Sequence, residues 1–175
     1  MGCSKLSGAR TTRHDRIVQV LSSVARLCGV VVQIEPRIDG QDKQRGDGEL
    51  FFHSQNGIFD CYVMHPCAKT YVKPAQRPLG ASAVGEKRKV NQYDTRCKAQ
   101  GFLFYPFVLE DFGVLGTRCM DLVAKIVEEG ELNGVMMIHG IKIRSYVLRA
   151  LSFSLQSGNA TMAIQGSKRS RMRLQ

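Results

Sequence analysis

Arg45-Gly46-Asp47-Gly48-Glu49-Leu50-Phe51-Phe52-His53-Ser54-Gln55-Asn56-Gly57-Ile58-Phe59-Asp60-Cys61-Tyr62-Val63-Met64-His65-Pro66 is the stretch whose reading decides the fold. Two apolar, β-branched and aromatic runs flank Ser54-Gln55-Asn56-Gly57, and Asn-Gly is the strongest short-range hairpin signal. Pro66 ends the returning strand, because proline has no N–H to give to a ladder. The hairpin brings a loop carboxylate, Asp47, and a strand carboxylate, Asp60, toward one point.

Working outward, Ile17, Val20, Leu21, Val24 and Leu27 recur at helical spacing, so 15–28 reads as an amphipathic helix stopped by Gly29. Val30-Val31-Val32-Gln33-Ile34 reads as a buried strand, with Glu35 leaving it at the edge of the site. Residues 38–48 read as a glycine-containing loop, in which Asp39 and Asp42, like Glu49 just after it, are alternative acidic groups. Beyond the hairpin, a helix runs from about Leu79 to Ala99. Glu86, Lys89 and Tyr93 are spaced three and four apart on it and share one face. Residues 102–108 form a further strand interrupted at Pro106, then 115–128 and 138–155 read as helices. Helix, strand, hairpin, helix, strand gives one α/β domain with a mixed sheet of four to five strands flanked by helices. Its expected limits are 13–160, between a disordered N-terminal segment (1–12) and a basic C-terminal tail (161–175).

Two carboxylates and a lysine at one sheet edge suit phosphodiester hydrolysis. A divalent cation binds the scissile phosphate and polarises water. Mg²⁺ prefers one or two carboxylates plus phosphate oxygens and waters, and a lysine can orient the water or offset charge. The same residues also allow an ordinary structural reading, with Asp47 capping a turn, Asp60 ending a strand and Lys89 solvated.

A resemblance favours the chemical reading. From about Arg13 to Arg173 the chain resembles the restriction-endonuclease-like domain (PD-(D/E)XK type) at the C-terminal end of reverse transcriptases of site-specific non-LTR retrotransposons. The similar segments stand in family order: Arg13-His14-Asp15; Glu35-Pro36; Arg45-Gly46-Asp47, where the family has Arg-Pro-Asp; and Asp60-Cys61-Tyr62-Val63-Met64-His65-Pro66. Glu86-x-x-Lys89-x-x-Gln92-Tyr93, Phe104-Tyr105-Pro106-Phe107-Val108-Leu109-Glu110-Asp111-Phe112-Gly113 and Leu151-Ser152-Phe153-Ser154-Leu155-Gln156-Ser157-Gly158-Asn159-Ala160 follow. The resemblance implies a strand-nicking DNA endonuclease using Mg²⁺ or Mn²⁺. Asp47 and Asp60 would be metal ligands, Lys89 and Glu86 further catalytic groups, and Glu35 and Tyr93 supporting residues. In that family the nick primes reverse transcription, and this chain has no polymerase motifs. Two departures stand out: Gly46 replaces a stiff proline, which loosens the turn, and Gln92 replaces a second lysine. They keep open an alternative, a catalytically decayed nucleic-acid-binding protein that retains the fold.

Charge agrees with a polyanionic partner. The net charge is +10 and the pI about 9.6. Lysines and arginines that release condensed counterions supply most non-specific nucleic-acid affinity. DNA is the expected partner, with RNA or a separately encoded reverse transcriptase behind it. Arg13 and His14, and in the tail Lys168, Arg169, Arg171 and Arg173, are the expected phosphate contacts. The 6 cysteines form no Cys-x-x-Cys pair, which argues against a zinc site and fits a reducing, nuclear or cytoplasmic compartment. No apolar run reaches the length of a membrane span. Met1-Gly2-Cys3-Ser4-Lys5 is similar to an acylation start, but Leu6 stands where that pattern needs Ser or Thr.

Overall fold

In the computed structural model, residues 7–38 and 45–171 are described. Four helices and a mixed four-stranded sheet form three layers, with a small two-stranded sheet beside them. The elements run α1 (Ser7–Leu27), β1 (Val31–Ile34), β2 (Gly48–Phe51), β3 (Gly57–Met64), α2 (Gly80–Ala99) and β4 (Leu103–Glu110). They continue through α3 (Thr117–Leu132), β5 (Met137–Ile138), β6 (Ile141–Lys142) and α4 (Ile143–Arg171).

The sheet order is β1-β2-β3-β4. The hairpin pairs Gly48 with Phe59 and Leu50 with Gly57, antiparallel. β3 and β4 run parallel, with Asp60 opposite Pro106. Parallel neighbours need a crossover, and α2 supplies it, which lays Lys89 over the strands it connects.

Strand alternation then sorts the two faces. Phe59 and Cys61 of β3, with Phe107 and Leu109 of β4, pack into a core with Ile17, Leu21, Leu122, Ile126, Val147 and Leu151 of α1, α3 and α4. Ile58 and Phe104 face the other way, against Tyr93 and Cys97 of α2, as do Met64 and Val108 against Ala81. Asp60 lies between Ile58 and Tyr62 in this alternation, so it faces α2. The pleat therefore places a carboxylate beneath Lys89.

Several elements differ from the sequence reading. α1 begins at Ser7, so Arg13-His14-Asp15 lies inside a helix and 7–12 are helical rather than disordered. β1 is an exposed edge strand and not a buried one, with Val31 67% and Ile34 45% exposed, because only β2 pairs with it. Pro106 does not interrupt β4. Its missing N–H is harmless because β4 has a neighbour on one side only. Residues 137–142 form a two-stranded turn, and the last helix runs on to Arg171, past the expected boundary at 160. Residues 1–6, with the acylation-like start, and Arg173 lie outside the described residues, as do Asp39 and Asp42.

Gly29 stops α1 as expected, at φ +82°. A Cβ there would stand 2.7 Å from Nδ2 of Asn133. That amide donates to the Cys28 carbonyl at 3.0 Å, satisfying an orphan acceptor at the helix end.

Candidate active site

Asp47 is fixed by the ladder it ends. Its N–H donates to the Phe59 carbonyl at 2.9 Å, and its Oδ2 accepts the Cys61 N–H at 2.5 Å. The side chain thus extends the β2–β3 pairing by one step, which brings it beside Asp60. Asp60 is 5% exposed. The Lys89 ammonium lies 2.5 Å from its Oδ2.

Burial is the largest influence on the Asp60 carboxyl and lifts it above the usual carboxylate range, with Asp47 adding in the same direction. The Lys89 ammonium, and more weakly His14, pull it back. Lys89 Nζ also lies 5.6 Å from the Tyr62 ring centre and 5.5 Å from that of Tyr93. Two aromatic faces therefore hold the ammonium where it meets the carboxylate. Burial, then the nearby Asp60 and Asp47 charges, push the Tyr93 hydroxyl up to about 12, so it stays protonated at neutral pH.

His14 reaches the same group from α1. Its Nε2–H donates to Asp47 Oδ2 at 3.0 Å and its Nδ1–H to Asp15 Oδ1 at 3.2 Å. The hydrogen bond to Asp47 is the largest cause that raises the imidazole to about 9. A raised histidine stabilises the fold fully below its unfolded value near 6.5, and this contribution is lost as pH rises through about 9. In EDTA the melting temperature should therefore fall over that window, and His14→Gln should flatten the profile there. An equally steep fall in the variant would assign the dependence to another group.

The remaining expected residues divide. Glu35 sits near Asp47, its N–H donating to the Asp47 carbonyl at 3.2 Å and its carboxylate 3.3 Å from Arg45. It lines with Asp47 and His14 a cleft of about 310 Å³. Glu86 does not join the cluster. Its Oε1 accepts the Arg118 N–H at 2.8 Å, so it caps the N-terminus of α3, where a carboxylate also suits the helix dipole. Glu49 is buried, and burial raises its carboxyl.

Arg13 is not the exposed phosphate contact expected from its motif. It is 6% exposed, and its Nη1 donates to Asn159 Oδ1 at 2.7 Å. Asn159 Nδ2 donates to the Asp111 carbonyl at 2.7 Å, and His65 Nδ1 lies 2.9 Å from Asp111 Oδ2. Four of the sequence segments thus meet in one partly buried polar network joining α1, the ends of β3 and β4, and α4. Reading the sequence missed Asp111, His65 and Asn159 as a unit. Their only sign was a polar residue set inside each apolar segment.

Gly158 makes room for this network. A Cβ there would stand 2.4 Å from Arg13 Cγ. Glycine to alanine within a helix ordinarily stabilises by about 0.5–1 kcal/mol. Here the sign should reverse, with Gly158→Ala costing about 1–3 kcal/mol in urea unfolding from overpacking. A stabilised variant would show that Arg13 is not held in place.

Gly46 is likewise built in rather than loosened. Its N–H donates to the Pro36 carbonyl at 3.1 Å, and a Cβ would stand 2.5 Å from Ile58 Cγ2. A proline at this position would break that bond and strike Ile58. Gln92 is exposed on α2.

Among the described residues no three His, Cys, Asp or Glu side chains converge as metal donors, and no helix is long and apolar enough to cross a membrane. No family model matches the chain. It is similar to the retrotransposable element SLACS 132 kDa protein of Trypanosoma brucei gambiense, 27% identical over 126 residues, or 67% of this chain. The chain spans 11% of that protein's length. The likeness points to a retroelement origin for the chain.

Proposed function

We propose that this protein is a metal-dependent DNA endonuclease that nicks one strand. The observation that carries this reading is the Lys89 ammonium 2.5 Å from the buried Asp60 carboxylate, with Asp47 hydrogen-bonded to the same strand one residue on. Charged groups are costly to bury without a task or a partner. A pair kept this close to a second carboxylate suits metal and phosphate chemistry better than it suits stability.

The donor set fits a hard divalent ion. Asp47 and Asp60 would hold it, and two carboxylates with open positions are what Mg²⁺ accepts beside phosphate oxygens. When bound, Mg²⁺ or Mn²⁺ supplies Lewis-acid stabilisation of the phosphate. Lys89, confined between Tyr62 and Tyr93, orients the attacking water and offsets charge developing on the phosphate. Doubly protonated His14 fixes Asp47 and adds a positive charge beside the cleft. Tyr93, kept protonated, supports Lys89 and Asp60.

Nicking of supercoiled plasmid with Mg²⁺ or Mn²⁺, set against gel-shift binding in EDTA, tests the proposal. Binding with no cleavage under either metal would favour a decayed nuclease that only binds. The absence of a third metal donor among the described residues is the observation behind that second reading. Binding should also be strongly salt-dependent, each phosphate contact contributing about −0.9 to the slope of log affinity against log salt. Deleting 167–175 should flatten the slope by up to about four units if its four basic residues touch DNA. An unchanged slope would show that the segment is idle.

A further inference from the structure

His14 stands between two hollows. One is the cleft over Asp47. The other, unused by the mechanism above, is a cavity of about 440 Å³ walled by Arg13, His14, Tyr62, His65, Tyr71 and Asp111. Its floor is apolar, since Met64, Tyr71 and the partly buried Ala68 and Tyr62 belong to one hydrophobic cluster. Behind the lining, Arg13 Nε and Asp111 Oδ1 are buried atoms with no hydrogen-bond partner among the described residues.

We propose that this cavity seats one base of DNA, that of the nucleotide next to the scissile phosphate, turned out of the duplex. The inference rests on the nuclease reading and extends it to the form of DNA preferred. Two walls are shared with the reacting cluster: Tyr62, whose ring lies under Lys89 Nζ, and His14, bonded to Asp47. A strand lying across Asp47, Asp60 and Lys89 therefore carries its next nucleotide to the cavity mouth. The volume is that of a small-ligand site with an apolar lining and a few placed polar groups. A duplex cannot enter it, whereas a single base can. Tyrosine faces stack on any base, and the half-buried His65, whose Nδ1 is engaged by Asp111, has its other ring nitrogen for a base edge. Extruding a base costs least where it is already unpaired, so the cavity should select mismatched or frayed DNA.

The test is fluorescence-anisotropy titration in EDTA, where cleavage plays no part. The probes are one duplex in three forms: fully paired, with one mismatch, and with both opposed bases of one pair removed. The mismatched form should bind about tenfold more tightly than the paired form, and the form lacking both bases should gain little. Ala68→Phe fills the floor and should erase the preference, with paired-duplex affinity held within about twofold. Thr11→Tyr, on the opposing α1 wall, serves if melting shows Ala68→Phe unfolded. Equal affinity for mismatched and paired DNA overturns the subsite. So does an equal gain for the form lacking both bases, which would report flexibility alone, or a preference that survives in the folded variants. Nicking without mismatch preference sinks the subsite and leaves the nuclease reading standing. Failure to bind any duplex overturns both.

Discussion

Asp60→Ala should abolish nicking while duplex affinity in EDTA stays within a few-fold of wild type. The substitution removes a metal ligand, and Asp60 is too buried to be a phosphate contact itself. It also strips the Lys89 ammonium of its counter-charge. Breaking a buried ion pair by removing one partner costs about 3–5 kcal/mol. Lys89 is 17% exposed at its side chain, so partial hydration should hold the loss toward the lower end. Urea unfolding of the variant measures that loss, and the assay must be run well below its midpoint. Asp60→Asn separates fold from chemistry, because it keeps the shape and one acceptor oxygen for Lys89 while removing the charge. It should be as inactive as the alanine variant and more stable. Wild-type nicking by folded Asp60→Asn would end the assignment of Asp60 as a ligand. Asp47→Ala should be similarly inactive, and it would also release His14 and lower the imidazole toward its ordinary value.

The candidate site was legible where one local rule fixed a direction. Alternation along β3 puts every second side chain on the α2 face, so Asp60 and Lys89 could be brought together from spacing and a turn signal. Tyr93, one helical turn beyond Lys89, followed for the same reason. Glu86 shares that helical face and still goes elsewhere. Which neighbour a carboxylate finds depends on where α3 begins, and no spacing along α2 contains that information. Arg13 shows the same limit. Its burial depends on α4, which returns more than a hundred residues later to present Asn159 and leave space at Gly158.

The fold was read best from the hairpin and worst at the edges. Val30-Val31-Val32 looks like a buried strand because apolar content is visible in sequence, whereas sheet order is not. β1 is an edge with a single neighbour, so much of it remains exposed. Pro106 looks like an interruption for the converse reason. On an edge the missing N–H costs nothing. Gly46 is more instructive still. Resemblance suggested a weakened turn, yet the space beside it is occupied by Ile58 and its N–H is engaged. A departure from a family pattern can thus be absorbed by a neighbour that no motif records.

Lys89 separates an active site from a preserved shape. If Lys89 acts on the water or on the developing charge, Lys89→Ala should lower the single-turnover rate by about 10²–10⁴-fold. Metal affinity at high pH should barely change, since lysine is not a ligand for Mg²⁺. The pH profile supplies a sharper sign. The Lys89 charge is the first influence that pulls the Asp60 carboxyl back down, so its loss lets burial raise that carboxyl further. Metal binding needs the ionised form, and the acid limb of residual activity should move to higher pH. Lys89→Met, which keeps the stem between Tyr62 and Tyr93, should show the same shift with less loss of stability. Lys89→Arg should rescue poorly, because a planar fork does not suit a slot that holds a compact ammonium between two rings, and arginine stays charged at working pH. Gln92→Lys places a second cation on the exposed side of α2 and should raise the rate if its absence has weakened the site. A rate unchanged in Lys89→Ala, with the acid limb also in place, would leave the Asp60–Lys89 pair a structural contact and the protein a DNA-binding module.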